Sequence, residues 1–370
     1  MNHDFTYILL AWFRDFGREL PWRGTRDAYA IWLSEIILQQ TRIQQGEAYW
    51  HRFMQRFPTV EMLAEASEDE VLRLWQGLGY YSRARNLHAA ARQIVAAGAF
   101  PQTLEGIRAL KGVGDYTAAA IASIAFGVDA AAVDGNVYRV LARHFGIATP
   151  INSTEGKREF AALAQALLPH GQAGTFNQAL MDFGAIQCTP QSPHCTACPL
   201  AETCVALRTG KVEMLPVKLQ KTKVQERRLA YIYIRCKDET PIRRRPAGDI
   251  WQGLWEPVAV ETPLPAPPVG GRASQAKVEG EGLRAFMALA APKVQSSKFK
   301  VQSLQLLAKD VKHVLTHRIL YADFYFMEVT EKPSLPEGYI WVKESALDDY
   351  AKPRLIEKLL EKVAMMPSPR

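Results

Sequence analysis

Four of the five cysteines lie close together near the middle of the chain, with the spacing Cys-x6-Cys-x2-Cys-x5-Cys. The four are Cys188, Cys195, Cys198 and Cys204. Iron–sulfur clusters and structural zinc sites both require thiolates at such close spacing. Zinc sites usually contain two short Cys-x2-Cys pairs and this stretch contains one, so the spacing favours an iron–sulfur cluster held in a loop. The fifth cysteine, Cys236, lies in a strand-like pattern and is expected to be a small buried residue.

Two carboxylates stand in settings that could support acid–base chemistry. Glu35 lies inside the apolar run IWLSEIILQQT, where burial would either pair it with a base or keep it protonated. A proton donor near neutral pH and a structural ion pair with Arg23 or Arg42 account for this pattern equally well. Asp134, in AAVDGNVYRVLAR, precedes a helix and would be a good N-cap, so its pattern alone does not require a catalytic role.

Two glycines precede another helix in LKGVGDYTAAAIASIAF. Gly112 and Gly114 would let backbone amides approach a phosphate, and the helix that begins near Asp115 adds partial positive charge at its N-terminus. Such contacts position a nucleic-acid duplex without reading its sequence. An ordinary helix–turn–helix has the same pattern, so this segment alone leaves both interpretations open.

Helical periodicity dominates residues 1–208. Apolar residues recur at helical spacing in segments such as DAYAIWLSEIILQQTRIQQ and STEGKREFAALAQALL, and Ser, Thr or Asp marks the helix starts. The polar, Lys-rich segment 209–226 is predicted to be an exposed linker. Alternating patterns such as RLAYIYIRC and GYIWV then predict strands of a small α/β domain over residues 227–365. Within it, GEGLRAFMALAA and PRLIEKLLEKVA predict helices, and PLPAPPVGGRAS predicts a loop.

Length and composition are compatible with two domains and a polyanionic partner. The chain has 370 residues, 48% of them hydrophobic, and a formal charge of +7, although many proteins without such a partner are equally basic. The first apolar run is interrupted by charges, which is typical of an amphipathic helix and not of a signal peptide or membrane span. We therefore expect a cytoplasmic protein, in which clustered cysteines bind metal rather than form disulfides.

The cysteine spacing directly after a helical domain resembles that of the endonuclease III superfamily of DNA glycosylases. Motifs over nearly all of the chain resemble its MutY-type adenine glycosylases. The resemblance implies a multi-domain protein, with an all-α helix-hairpin-helix glycosylase domain containing an iron–sulfur loop, followed by a small α/β Nudix-like domain. It implies one structural [4Fe-4S] cluster on the four cysteines. The implied partner is double-stranded DNA with adenine opposite 8-oxoguanine or guanine, bound by a monomer without membrane association and, in a bacterium, at the nucleoid.

The resemblance also assigns catalytic roles. Glu35 would protonate the adenine, and Asp134 would stabilise or transiently bond to the oxocarbenium-like sugar, as second carboxylates do in sugar hydrolysis. Asn136 would hold this aspartate and the sugar in place. Relatives that also cut the backbone carry a lysine two residues after the second hairpin glycine. Here that residue is Tyr116, so we predict a largely monofunctional enzyme with Tyr116 as an auxiliary group.

Other residues resemble family elements that handle a flipped-out base. The predicted adenine pocket consists of Trp22, Arg23 and Gln178. The predicted wedge residues, which would fill the gap left in the base stack, are Leu38, Gln40 and Tyr80. Taken singly, the tryptophan could be a core residue and Gln178 a surface residue. Arg83 and Arg85 could contact phosphates or be solvated helix arginines.

The segment GDIWQGLWEPV resembles the signature of the Nudix-like domain. In the family, a Phe-Ser-His-like turn between two strands of this domain recognises 8-oxoguanine. The matching residues here are Leu315, Thr316 and His317, so recognition should depend on Thr316 and His317 rather than on stacking by the first residue. VAVETPLPAPPVGG follows Trp255 where a Nudix hydrolase would carry its metal-binding helix, so nucleotide hydrolysis is not expected.

Two other functions remain as alternatives. One is an endonuclease III-like glycosylase and lyase for damaged pyrimidines, against which Tyr116 and the second domain argue. The other is a non-catalytic iron–sulfur protein that binds DNA or senses redox state. Glu35 in its apolar helix argues against this second alternative.

Overall fold

The chain folds into two compact units. The structure, a computed structural model, describes residues 2–219, 224–262 and 301–366. One unit comprises Met1–Ala66 and Arg85–Lys221, and the other comprises Ser67–Ala84 and Thr222–Arg370. The predicted order of a helical domain followed by an α/β domain is confirmed. The division differs from the predicted boundaries in two respects. Residues 67–84 group with the C-terminal half of the chain, and the first part of the predicted linker groups with the first unit.

Helices form the first unit and flank the sheets of the second. In the described residues the α-helices are α1 (Asn2–Phe16), α2 (Ala28–Leu38), α3 (Ile43–Arg56), α4 (Val60–Glu65), α5 (Glu68–Trp75), α6 (Ser82–Ala96), α7 (Leu104–Arg108), α8 (Asp115–Phe126), α9 (Gly135–Phe145), α10 (Thr154–Leu167), α11 (Ala173–Asp182), α12 (Val205–Arg208) and α13 (Arg354–Val363). The expected capping residues stand at several starts: Thr103 and Ser153 each accept a hydrogen bond from a backbone N–H three residues later.

A tight hairpin joins α7 to α8, as predicted. Gly112 has a positive φ of 79°, and a Cβ at this position would overlap the side chain of Asn86. Gly114 is the N-cap of α8, and the space beside its Cα is open. The N-terminus of α8 is therefore open at Gly114. A contact between this N-terminus and a phosphate group stays a prediction.

The predicted single helix over residues 27–45 is wrong at its centre. α2 ends at Leu38 and α3 begins at Ile43. Gln40 between them has a positive φ of 56°, a left-handed conformation that a right-handed helix cannot continue through. This break places the predicted wedge residue Gln40 in a loop instead of on a helix.

The core of the first unit joins α1 to α9, α10 and α11. Phe5 and Leu9 pack with Val140, Phe160 and Phe176, and all five are buried. Burying one such side chain contributes about 1.5–3 kcal/mol. This core fixes the start of α9 and the inner face of α11, both of which contribute to the candidate site.

Part of the predicted linker 209–226 also belongs to this core. Val212–Met214 forms a 3-10 helix, and Leu215 is buried against the core of the first unit. The guanidinium of Arg143 donates to the carbonyl oxygens of Val212 (2.9 Å) and Leu215 (3.1 Å). The prediction of an exposed linker is therefore wrong for Leu215, whereas Glu213 and Met214 are exposed as predicted. Residues 220–223 lie outside the described part of the chain.

The second unit contains two sheets. The strands are β1 (Gln225–Arg235), β2 (Glu239–Arg244), β3 (Trp255–Glu256), β4 (Val258–Thr262), β5 (Val301–Val314), β6 (Arg318–Val329) and β7 (Tyr339–Lys343). One sheet has the order β4-β1-β6-β5, in which only β1 and β6 are parallel, and the other has the order β3-β2-β7. Tyr231 and Phe324 on the first sheet pack with Leu355 and Leu359 of α13. Cys236 is 4% exposed, which confirms its prediction as a small buried residue.

The helix α5 and the loop after it belong to this second unit. The guanidinium of Arg244 lies 2.9 Å from the carboxylate of Glu68. The backbone N–H of Lys352 donates to the side chain of Gln76 (3.2 Å), and the hydroxyl of Tyr81 donates to the carbonyl of Lys352 (3.2 Å). These long-range contacts explain why residues 67–84 group with the α/β domain.

Two sequence predictions lie outside the described residues, namely the helix in GEGLRAFMALAA and the loop in PLPAPPVGGRAS. Where the chain is described, no helix has both the length and the apolar character that a membrane crossing requires.

Candidate active site

A cleft of about 880 Å³ opens in the first unit. It is lined by the loop before α2, by α2 and the residues after it, by α8, by the start of α9 and by α11. The predicted site residues that line it are Trp22, Arg23, Glu35, Leu38, Gln40, Tyr116, Asp134, Asn136 and Gln178. The fold thus brings together residues from separate segments for which catalytic, adenine-binding or DNA-binding roles were predicted.

Glu35 lies on α2 at the inner wall of this cleft and is 9% exposed. Burial raises its pKa from an ordinary 4.5 to about 7, although a hydrogen bond from Tyr116 opposes the rise. Arg23, one of the pairing partners considered for Glu35, instead bonds to Asp182. Glu35 is therefore partly protonated near neutral pH, which suits a proton donor.

Tyr116 stands in the first turn of α8 and touches Glu35 directly. Its hydroxyl donates a 2.9 Å hydrogen bond to Oε2 of Glu35 and lies 3.2 Å from the sulfur of Met181. Burial, with Glu35 close by, holds the pKa of Tyr116 well above its ordinary value. The phenol is therefore a neutral donor at physiological pH and carries no nucleophilic amine.

Asp134 is the N-cap of α9 and also faces the cleft. Its Oδ1 accepts the backbone N–H groups of Asn136 and Val137, both at 2.8 Å. Its Oδ2 accepts the side-chain amide of Asn136 at 2.7 Å. Burial raises the pKa of Asp134, and these three donors oppose the rise. The capping interpretation is thus correct, and it is compatible with a role in the cleft.

Arg139 links this part of the cleft to the cysteine segment. Its guanidinium donates to Oδ1 of Asn136 (2.8 Å) and to the carbonyl of Cys188 (2.7 Å). It also bonds to the carbonyl of Gly184. The side-chain amide of Asn136 is therefore held between Asp134 and Arg139. Its nitrogen faces the carboxylate of Asp134, and its oxygen faces the guanidinium of Arg139.

The wall that carries Trp22 and Arg23 is held by an ion-pair cluster on Asp182. Asp182 is fully buried, and both terminal nitrogens of Arg23 donate to it at 2.8 Å. Arg18 also donates to this carboxylate through its backbone N–H and its Nε, both at 2.9 Å. The donors outweigh the effect of burial and lower the pKa of Asp182. Sequence reasoning missed Asp182, although an acidic residue in the apolar segment FNQALMDFG is the same signal that drew attention to Glu35.

The remaining predicted pocket and wedge residues of the first unit also line the cleft. Trp22 is buried, with its ring 5.8 Å from that of Trp50 in an edge-on arrangement, so it is a core residue as well as part of the cleft wall. Gln178 lines the cleft from α11. Leu38 ends α2, and Gln40 follows it at the cleft edge.

Tyr80, the third predicted wedge residue, belongs to the second unit. It has a positive φ of 47°, and its side chain is 46% exposed. Gln40 and Tyr80 are the two predicted wedge residues that lie outside helices. Both adopt left-handed backbone conformations, which are uncommon for residues other than glycine.

Arg83 supports the loop that carries Tyr80. Its guanidinium contacts the carbonyl oxygens of Leu78 and Gly79, both at 3.5 Å, and stacks over the rings of Trp75 and Tyr80. It is 9% exposed, and burial lowers its pKa to about 10. The alternative of a solvated helix arginine is therefore wrong for Arg83, and a phosphate contact by this residue stays a prediction.

Leu315, Thr316 and His317, here called the recognition turn, connect β5 to β6 as predicted. Thr316 and His317 are exposed, whereas Leu315 is partly buried against the core of the unit. The hydroxyls of Tyr80 and Thr316 share a 2.6 Å hydrogen bond. Tyr80, one of the predicted wedge residues, thus contacts the recognition turn, and Leu315 of this turn packs against the core of the unit.

The four clustered cysteines line one small cavity in the first unit, together with Arg143. All four are free thiols, and Nη1 of Arg143 lies 3.4 Å from the sulfur of Cys188. Burial and the neighbouring thiols raise the pKa of Cys198 to about 11. Within the described residues, no three His, Cys, Asp or Glu side chains already converge into a metal site. Four thiols around one cavity nevertheless fit the donor set of a [4Fe-4S] cluster, whose iron would offset the mutual repulsion of the thiolates.

Comparison with known families defines the class of the protein. Residues 33–167 match the family described as HhH-GPD superfamily base excision DNA repair protein, and residues 230–362 match a NUDIX domain. A thermostable thymine-DNA glycosylase of known structure is 32% identical and superposes with a TM-score of 0.53, covering 56% of this chain and 97% of that one. An endonuclease III–DNA complex superposes with a TM-score of 0.50 at 22% identity, over 57% of this chain and 98% of that chain, which shows a shared fold.

Curated relatives narrow the class to one family. The adenine DNA glycosylase of Buchnera aphidicola (subsp. Schizaphis graminum) is 33% identical over 254 residues, which cover 68% of this chain and 73% of the relative. The human adenine DNA glycosylase is 45% identical over 218 residues, 56% of this chain. The chain belongs to the adenine DNA glycosylase family. It spans only 40–43% of the length of the mammalian relatives it matches.

Proposed function

We propose that the protein is a monofunctional glycosylase that hydrolyses the N-glycosidic bond of adenine opposite 8-oxoguanine or guanine in double-stranded DNA. The names of the family members support adenine as the substrate. The observation that carries the proposal is the pairing of Glu35 and Asp134 in one cleft with different surroundings. Such pairs of carboxyl groups divide acid and stabiliser roles between them.

Glu35 is the acid in this mechanism. A carboxyl group with a pKa of about 7 is partly protonated at neutral pH and can deliver a proton to a ring nitrogen of adenine. Protonation makes the base a better leaving group, so the C–N bond breaks with its electron pair staying on adenine. Tyr116 holds the carboxyl group by donating to Oε2, which leaves Oε1 to carry the transferred proton.

Asp134 is the stabiliser of the sugar cation. As an anion it would face the oxocarbenium-like sugar, or bond to it transiently, before water adds to the sugar carbon and gives up a proton to a carboxylate of the site. Its three hydrogen-bond donors favour the ionised form and limit, without reversing, the rise in its pKa that burial causes. Asn136, held by Arg139, keeps the carboxylate from rotating. The products are free adenine and an abasic site.

An adenine in a duplex must leave the base stack before these groups can reach it. Trp22, Arg23 and Gln178 form the wall of the cleft that would receive the base. Leu38, Gln40 and Tyr80 would fill the vacated space, and Gly112 and Gly114 would contact the backbone phosphates. The recognition turn would contact the opposite base through Thr316 and His317.

The four cysteines would hold one [4Fe-4S] cluster, which supplies structural order rather than chemistry. Arg143 and Arg139 tie the segment around Cys188 to α9, the helix that Asp134 caps. The cluster would therefore stabilise the same helix that carries the proposed cation stabiliser. A cytoplasmic location and a monomeric state stay predictions.

Base release from defined duplexes tests the proposal. Adenine opposite 8-oxoguanine, guanine and thymine should be released in decreasing order, without strand cleavage until base or heat is applied. Glu35→Gln should bind the 8-oxoguanine duplex but release adenine about 10²–10⁴-fold more slowly than the wild type. Glu65→Gln changes an exposed glutamate of the same unit and should be fully active.

Two outcomes would contradict the proposal. Substantial adenine release by Glu35→Gln would show that another group supplies the proton. Release of thymine from G:T duplexes with adenine left intact would place the chain functionally with the thymine-DNA glycosylase whose fold it shares.

A further inference from the structure

Asp249 joins three arginines from separate segments of the second unit. It lies between β2 and β3, and its carboxylate accepts hydrogen bonds from Arg227 and Arg245, both at 2.6 Å. It also accepts from Arg318 (3.2 Å) and from the backbone N–H of Ile250 (2.7 Å). Burial raises the pKa of Asp249, but these donors outweigh it and lower the pKa to about 2. Asp249 is therefore an anion throughout the physiological pH range.

One of these arginines adjoins the recognition turn. Arg318 is the first residue of β6 and directly follows His317. Its carbonyl accepts the N–H of Leu315 (2.8 Å), so its backbone closes the turn. Its side chain has Asp249 as its ion-pair partner. Arg318 directly follows the last residue of the turn. Its side chain is thus anchored to Asp249, a residue outside the β5–β6 hairpin.

The loop that carries Asp249 also reaches the other strand of the hairpin. Trp251 has a positive φ of 59°, and its ring lies 5.6 Å from that of His313 on β5, edge to face. Trp251 and Leu315 pack against the same core. A left-handed conformation for such a residue costs about 1–2 kcal/mol, so the surrounding contacts must maintain it. Arg245 contributes by bonding to the carbonyl of Ile250 at 2.9 Å.

We propose that Asp249 is a positioning residue for recognition of the base opposite the adenine. Acting through Arg318, it fixes the turn that exposes Thr316 and His317, and it thereby sets the preference for 8-oxoguanine over guanine. The two bases differ by an oxygen at C8 and a proton at N7, so telling them apart depends on hydrogen-bonding groups held in place. This inference rests on the proposed function, because it takes the recognition turn as the element that contacts the opposite base.

A matched pair of variants isolates this role. Asp249→Asn removes the charge at the base of the recognition turn. Glu344→Gln removes a comparable one, since Glu344 accepts from Arg235 (2.7 Å) and from the hydroxyl of Tyr233 (2.9 Å). Their side-chain exposures are similar, 29% for Asp249 and 22% for Glu344. Arg235 pairs with the far end of β6, so Glu344 lies at the opposite end of the sheet from the turn.

Two measurements are made on the full-length protein. The first is amide hydrogen exchange of the segment 313–318 without DNA. The second is the ratio of adenine release rates opposite 8-oxoguanine and opposite guanine. Asp249→Asn should speed exchange in this segment and lower the ratio about tenfold, the effect of losing one charge-assisted hydrogen bond. Glu344→Gln should change neither, and Asp249→Glu, which keeps the charge, should recover part of the ratio.

The possible results separate the inference from the proposed function. Unchanged exchange in Asp249→Asn would overturn the inference whatever the enzyme does. So would faster exchange with an unchanged ratio, or an equal loss of the ratio in Glu344→Gln. If the wild-type protein releases adenine with no preference for 8-oxoguanine, the proposed function of the turn fails, and the exchange data still show whether Asp249 holds it.

Discussion

The hydroxyl of Tyr116 donates a 2.9 Å hydrogen bond to Oε2 of Glu35. This contact joins the first turn of α8, directly after the phosphate-binding hairpin proposed here, to the centre of the apolar helix α2. A phenol in this position favours the ionised form of Glu35 and so limits the rise in pKa that burial causes. Tyr116 is therefore expected to set the pH range over which the proposed acid works.

The rate of adenine release should follow the protonated fraction of Glu35. The rate should fall as the pH rises through about 7, the pKa of this carboxyl group. Tyr116→Phe removes a hydrogen bond that lowers this pKa, so the falling limb of the pH profile should move to higher pH. Single-turnover rates between pH 5 and 9, measured at saturating enzyme, provide the comparison.

Tyr7→Phe is the control for this profile, because Tyr7 is 77% exposed on α1. It should reproduce the wild-type curve. A Tyr116→Phe profile that is lower at every pH but unshifted would mean that the hydroxyl acts on the sugar or the base and does not tune Glu35.

The same burial makes the stability of the protein depend on pH. The pKa of Glu35 is raised from 4.5 to about 7 in the folded state, so the folded state binds this proton more tightly than the unfolded state does. The resulting stabilisation is complete below pH 4.5 and is lost as the pH rises through 7. The total is about 3 kcal/mol. Glu35→Gln lacks this loss, so its stability relative to wild type should increase between pH 5 and pH 8.

Thermal unfolding at several pH values measures this difference. Titrating groups remote from Glu35 affect wild type and variant equally, so the difference between their midpoints reports on Glu35 and on the Asp134 charge that acts on it. The exposed substitution Glu65→Gln should give a constant difference near zero. Parallel curves for wild type and Glu35→Gln would show that Glu35 has an ordinary pKa in the folded state.

Local sequence signals single out Glu35 as a candidate without deciding between an acid and an ion-pair role, and they do not single out Asp134. Glu35 could be predicted because a carboxylate within an apolar helix needs a special explanation. Asp134 could not be assigned from its pattern, because an N-cap aspartate and a catalytic one look the same along the chain. The structure shows that Asp134 is an N-cap that also faces the cleft, and only proximity in the fold, which the sequence does not display, places the two carboxyl groups together.

Long-range contacts account for the features that the sequence did not predict. The segment between Leu38 and Ile43 contains no glycine or proline, so nothing local marks the left-handed conformation of Gln40 that follows α2. The grouping of residues 67–84 with the α/β domain depends on contacts such as that of Glu68 with Arg244, far apart in sequence. The ion-pair cluster on Asp182 likewise joins two distant segments.

The two roles of Asp134 can be separated by one substitution. Asparagine caps a helix about as well as aspartate, so Asp134→Asn should keep the stability of α9 while removing the negative charge. The rate of adenine release should fall by about 10²-fold or more, the usual effect of losing a group that stabilises a developing charge. Asp27→Asn changes the N-cap of α2 in the same way and should leave the rate unchanged. Wild-type activity in Asp134→Asn would reduce this aspartate to its capping role.

Separate substitutions of Cys198 and Cys236 test whether the four clustered cysteines hold the proposed [4Fe-4S] cluster. Cys198 lines the cavity shared by the four clustered thiols, whereas Cys236 is buried in the second unit beside Glu239. Cys198→Ser should lower the iron and acid-labile sulfide bound per chain and destabilise the first unit, since three thiolates hold a cluster less tightly than four. Cys236→Ser should bind as much iron as the wild type. Equal iron content in both variants would contradict the assignment of the four clustered cysteines as the specific ligands, because only Cys198 lines the cavity that they share.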